Sequence, residues 1–198
     1  MKHISIITIL FTVLLISTAQ AAVSPLGISI VDPIQFPPSD FDIMGIRASV
    51  IYGKNRDVSG IDIGLIGNIT TGKFNGAAVA GLFNSTKGQA NILGVQLAGL
   101  GNINSEKVSV YGIQAALLSN YNSAESSVVG LQFSLANISP NTTINGFQVG
   151  IYNKARHVRG LQVGLINMTQ NLTGIQIGLL NFYQEGFFKV SPIINVGF

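Results

Sequence analysis

The side chains able to do acid–base, nucleophilic or metal chemistry are few in this chain, and their spacing does not bring them together. After residue 21 there is one histidine, His157, inside the basic link Lys154-Ala155-Arg156-His157-Val158-Arg159. A hydrolytic triad needs an acid beside its histidine, and a zinc site needs several ligands. His157 has cations as sequence neighbours instead. It reads as part of a solvated basic turn, of a kind that could meet the phosphate groups of lipid or lipopolysaccharide. The eight carboxylates, Asp32, Asp40, Asp42, Asp57, Asp62, Glu106, Glu125 and Glu185, are scattered. No pair recurs at a spacing suited to general acid–base work or to a calcium loop. The chain has no cysteine, which removes disulfides, thiolate catalysis and a lipid-modified cysteine. No catalytic, cofactor-binding or metal-ligating residue is assigned, no cofactor is implied, and the expectation is a protein that is not an enzyme.

The residues that do recur are amides and glycines. Gln96, Gln114, Gln132, Gln148, Gln162 and Gln176 each follow a glycine by two positions. Asn68, Asn84, Asn102, Asn120, Asn137, Asn153, Asn167 and Asn181 each close the same phrase. A row of Gln on a flat face could bind a polysaccharide or a partner sheet. Stacked Gln and Asn amides could equally bond one another and only stabilise a stack. Asn68, Asn84, Asn137, Asn141, Asn167 and Asn171 stand in Asn-x-Ser/Thr sequences, which here read as by-products of asparagine corners followed by polar links.

These rows belong to a repeat that runs through most of the chain. VRGLQVGLIN and LTGIQIGLLN, within 158–181, show it most plainly. Clear copies begin at Gly60, Gly76, Gly94, Gly112, Gly130, Gly146, Gly160 and Gly174, spaced 16, 18, 18, 18, 16, 14 and 14 residues apart. A degenerate copy begins at Gly45, with Arg47 at the Gln position; Asp62 and Ala78 are the other exceptions there. Apolar residues occupy Gly−2, Gly+1, Gly+3 and usually Gly+5. From Gly+1 onward this is the period-2 pattern of a strand with one buried face. In the Gly160 copy the expected buried set is Leu161, Val163 and Leu165, with Gln162 and Gly164 pointing out. Gly−2 and Gly+1 then differ in parity, so a corner or bulge is expected at each glycine, where a residue with free access to positive φ is needed. Residues 31–36 and 190–195 read as edge copies with Pro33 and Pro192 in place of Gly, proline being suited to protected edges.

Lys2 and His3, the apolar run Ile4–Ile16 and Ala19-Gln20-Ala21 form an expected secretory signal peptide at 1–21, leaving a single β-repeat domain at 22–198. Without Lys2, ten Lys/Arg face eight Asp/Glu, too little charge for nucleic-acid binding. Charged residues make up 10% of the chain, against about 25% in ordinary soluble domains. Low charge with abundant glycine points to stacked β-structure or a membrane barrel.

Two architectures fit, and the sequence leaves both open. The first is an all-β, β-solenoid-like stack of short strands, each repeat one coil in the same environment as its neighbours. The second is an antiparallel up-and-down outer-membrane barrel of about ten strands. The links drift in length rather than alternating, and odd and even copies carry the same motif, which favours the stack. Phe198 closes an amphipathic run that includes Val196, Ile194, Val190 and Phe188, which favours the barrel.

The phrase Gly-Leu-Gln-x-Gly-Leu-x-Asn, here GLQVGLIN, GIQIGLLN and GFQVGIYN, resembles a largely uncharacterised family of bacterial surface-repeat proteins. The resemblance runs from about Val31 to Phe198. It implies an exported structural or interaction protein of a Gram-negative-type cell envelope, at the outer membrane or cell surface. A small outer-membrane pore is the alternative. The family supplies no catalytic residues. Expected partners are envelope lipid, polysaccharide or another surface protein, and not nucleic acid.

Overall fold

The computed structural model of the protein describes residues 22–198, so the expected signal peptide at 1–21 lies outside the described residues. About three quarters of the chain is strand, wound into a parallel β-solenoid of about 10 turns. Equivalent residues of successive repeats stack in register. Gly146 pairs with Gly160 and Gly160 with Gly174, and Gln148, Gln162 and Gln176 follow the same alignment. All of these pairings are parallel, so the antiparallel barrel does not hold for this chain.

Each coil has three stretches. A long side runs from Gly−2 to about Gly+3, as in Val58–Gly64 and Val108–Ala116. After a corner comes a short side around the asparagine, as in Gly67–Thr70 and Ser119–Asn122. A polar link then returns to the next glycine. Differences in repeat length are absorbed in the corner and the link. In the last repeats the short side, link and long side merge into continuous strands, Tyr152–Val163 and Ile166–Tyr183.

The glycines are required by backbone geometry. Gly160 has φ 135° and Gly60 φ 130°, a region that L side chains rarely adopt. A Cβ on Gly160 would also collide with the carbonyl oxygen of Gly146 in the coil before. Gly94 differs: its φ is 93° but its surroundings are open, because the register slips between the strands carrying Gly76 and Gly94.

The expected buried face is inverted. Gln162 is fully buried, whereas Leu161 and Val163 are only half-buried and Leu165 is exposed. The inward set of each coil is Gly−2, Gly+2, the small residue at Gly+4, and the asparagine. Ile43, Val58, Phe74, Ile92, Val110, Val128, Ile144, Val158 and Leu172 form the apolar column of the core. Gly−2 and Gly+2 are an even number of residues apart, so the parity break expected at glycine is not needed. Period 2 separates two faces but does not say which is inside. Here the amides go in because in-register stacking gives each one a partner directly above and below.

The edge copies are also corrected. Residues 31–36 do not form a coil: Ile34–Phe36 folds back antiparallel on Val23–Val31, with Pro33 in the turn. Val23–Val31 is itself the first coil, parallel to Asp42–Ser49, and Pro25 rather than Pro33 lies against Gly45. At the other end Val190–Gly197, which contains Pro192, runs antiparallel to Ile166–Tyr183. An antiparallel strand thus caps each end of the stack, covering the first coil from Ile28 to Val31 and most of the long side of the last.

Candidate interaction surface

The amide rows lie inside and are occupied with one another. Gln114 donates from Nε2 to Oε1 of Gln96 at 2.8 Å, Gln132 to Gln114 at 2.7 Å, and Gln148 to Gln132 at 2.7 Å. Gln162 donates to Gln148 at 2.6 Å and Gln176 to Gln162 at 2.7 Å. The asparagines form a second ladder of opposite polarity. Asn68 Nδ2 donates forward to Asn84 Oδ1 at 3.0 Å, and the series continues to Asn167 and Asn181 at 2.8 Å. The second hydrogen of each such Nδ2 goes to the Gly+3 carbonyl of the next coil, as from Asn153 to Val163 at 2.7 Å.

Opposed polarity sets the two amide dipole rows against each other. It also predicts where acceptors are left over, at the C-terminal end of the Gln ladder and the N-terminal end of the Asn ladder. Gln176 Oε1 and Asn68 Oδ1 are indeed buried without a hydrogen-bond partner. The donor ends are satisfied: Gln96 Nε2 reaches Asn104 Oδ1 at 3.3 Å, and Asn181 Nδ2 reaches the Gly178 and Ser191 carbonyls. An under-used carbonyl costs less than an orphaned N–H, which fits this asymmetry.

The three exceptions in the Gln column form its N-terminal foot. Arg47 and Asp62 make a buried bidentate pair, Nε to Oδ1 at 2.8 Å and Nη2 to Oδ2 at 2.6 Å. Arg47 Nη1 also donates to the Ile69 carbonyl at 2.9 Å and to Asn55 Oδ1 at 3.3 Å. Its side chain lies over Gly27, which holds the Gln position of the first coil. Asp62 thus replaces a Gln in the core, facing inward rather than outward as expected. Ala78 separates this pair from Gln96. Of the Asn-x-Ser/Thr asparagines, Asn68, Asn84, Asn137 and Asn167 are buried ladder members, while Asn141 is exposed and Asn171 half-buried.

His157 sits half-buried on the link side, between Thr143 and Asn171 of the adjoining coils. Arg156 reaches Glu125 at 3.9 Å across exposed surface. Arg56 pairs with Asp42 at 2.7 Å, and that hydrogen bond raises the guanidinium pKa further. Among the described residues no group of three or more His, Asp or Glu is placed to hold a metal ion.

The surface on which the coils converge is apolar. Outward residues at Gly+1 include Ile61, Ile113, Phe147 and Ile175. Those at Gly+3 include Ile63, Val79, Phe133 and Ile177, and the corner carries Leu65, Leu117, Leu135, Ile151, Leu165 and Leu179, all substantially exposed. Leu65 and Leu179 are exposed to 70% and 65%. From Gly to Asn, across nine coils, the only charged residues are Arg47 and Asp62, which are buried and paired.

Between the Gly+3 and corner columns runs a trough of 740 Å³, floored by Ser134, Gly150, Gly164 and Gly178 and walled by aliphatic side chains and Phe133. Its floor is narrow because the Asn ladder passes directly beneath. A Cβ on Gly164 would come within 2.6 Å of Asn153 Nδ2. Ile193, from the antiparallel closing strand, lines the trough at φ 67°, an unusual conformation for a β-branched residue.

The columns that build this surface are visible in the sequence, where their period-2 spacing reads as a buried face. The signal that could have reversed the assignment is the consistency of the Gln column, since an exposed position tolerates many polar residues whereas a stacked buried amide tolerates few. Comparison with protein-family models, curated proteins and solved structures finds no match for the chain.

Proposed function

We propose that the chain is an exported, non-enzymatic structural or interaction protein of a bacterial envelope, at the outer membrane or cell surface, and a member of the surface-repeat family its GLQxGLxN phrases resemble. The observation that carries this reading is the uninterrupted apolar outer face. Monomeric soluble proteins seldom expose contiguous apolar patches above a few hundred Å², and larger ones mark contact sites for membranes or proteins. A pore has no support in a parallel stack whose interior is filled by an apolar column and bonded amides. The carboxylates that are not buried lie mainly on the links and ends.

Fractionation of a Gram-negative host expressing the full chain tests the reading. The expected result is a processed protein, shortened by about the 21 residues of the leader, recovered with envelope membranes or at the surface. Recovery of an unprocessed chain in the cytosol would refute export. A hydrolytic rate on a substrate panel that is lost on changing one exposed carboxylate, such as Glu125→Gln, would refute the non-enzymatic reading.

A further inference from the structure

The interior is shared between the apolar Gly−2 column and the polar columns of amides, with one buried ion pair among the described residues. Outside, Ile, Leu, Val and Phe cover the long side and corner of the coils. Within the stack, backbone N–H and C=O groups of the long sides are consumed by the parallel ladder, Val190–Gly197 covers the last coil, and Ile34–Phe36 covers the first coil from Ile28 to Val31. These are the conditions for contact with hydrocarbon, where no water is available to satisfy an exposed polar group.

We infer that this face binds the acyl layer of a lipid leaflet, with the solenoid axis lying in the membrane plane and the link side in water. The inference rests on the envelope reading above and names its partner. Strand spacing makes the face roughly 40 by 16 Å, on the order of 600–700 Å².

Its borders match the membrane interface. Tyr111 and Arg159, at Gly−1, lie along one edge, and Tyr52, Tyr121, Tyr152 and Lys154 lie along the other, together with Lys54, which pairs with Asp32 at 3.6 Å. Tyrosine rings and snorkelling cations are the residues that hold a protein at headgroup depth. The remaining exposed charges lie on the links and ends. A second copy of the chain would bury enough area for a dimer, but it fits less well. Protein interfaces carry about one hydrogen bond per 100–200 Å². This face offers almost none, and its regular translational repeat fixes no register. Fluid hydrocarbon requires neither.

The test is flotation of the purified protein with vesicles of phosphatidylethanolamine and phosphatidylglycerol. Phe147→Glu combined with Leu165→Glu puts two charges on the face at positions already about half exposed, 53% and 49%. Gln89→Glu combined with Gln170→Glu puts the same charge on the link side. The wild type is expected to float. The face pair should reduce bound protein at least tenfold, and the link pair less than twofold, with circular dichroism unchanged. The chain has no tryptophan, so single insertions give a second readout that survives a misfolded charge variant. Ile151→Trp should be quenched by lipids brominated on their acyl chains, and Gln170→Trp should not. Equal flotation of the two charge pairs, or equal quenching of the two tryptophans, overturns the inference. So does a wild type that stays in buffer as a dimer split by the face pair, although the interaction reading then stands. A monomer that neither floats nor self-associates overturns both.

Discussion

Replacing Gln162 by alanine tests the inverted core directly. Gln162 donates to Gln148 Oε1 at 2.6 Å and accepts from Gln176 Nε2 at 2.7 Å, and it is fully buried. Truncation leaves Gln148 Oε1 with no other partner and leaves Gln176 Nε2 only a 3.3 Å contact to the Phe182 carbonyl. Each buried group left unsatisfied costs about 1–3 kcal/mol. The vacated volume adds about 1 kcal/mol. The expected loss is therefore about 3–7 kcal/mol, reduced toward the lower end if a water enters the gap and bonds both amides. For a domain of this size that corresponds to roughly 6–28 °C in Tm. Leu161→Ala removes a side chain already half in solvent, and about 1 kcal/mol is expected. Gln162→Met keeps the volume but not the bonds, and should retain most of the cost of Gln162→Ala. Thermal and guanidinium melts of the three variants under one buffer condition measure the order. A Leu161→Ala variant less stable than Gln162→Ala would refute the assignment of faces and the reasoning built on it.

Other outcomes follow from single positions. Gly160→Val should destabilise by 3 kcal/mol or more, on the order of the larger backbone and packing effects, because strain and a clash with the Gly146 carbonyl act together. Gly94→Ala meets strain alone and should cost only about 1–2 kcal/mol, so similar melts for the two would refute the carbonyl-stacking argument. Asp62→Asn leaves the Arg47 guanidinium buried without its counter-charge and should cost about 3–5 kcal/mol by denaturant titration. Arg47→Gln with Asp62→Gln extends the amide column instead and should recover most of that loss; a double variant as unstable as the single one would argue against equivalence of these positions.

Much of the architecture was legible in the residues. Repeat boundaries, the strand content, the need for glycine at positive φ and the preference for a stack over a barrel all follow from a motif that is the same in odd and even copies, whereas the corner expected at each glycine is absent: Gly160 lies within the continuous strand Tyr152–Val163. Recurrence of Gln96 through Gln176 marks a column in the sequence itself. What the sequence could not supply was the direction in which that column points. Alternation distinguishes Leu161 from Gln162 and leaves the inside to be assigned by a rule drawn from solvated sheets, that apolar residues are buried. That rule prices an isolated amide. In a parallel, in-register stack a buried amide has an identical neighbour a strand spacing away on each side, so its desolvation is offset by two hydrogen bonds. The same reasoning accounts for Arg47 and Asp62: fourteen positions lie between them in sequence, and only winding places one above the other. The end strands needed the tertiary structure as well. Pro33 and Pro192 occur in stretches that resemble the repeat, but the closing antiparallel pairings, set by neighbouring coils rather than by local pattern, decide what those stretches become.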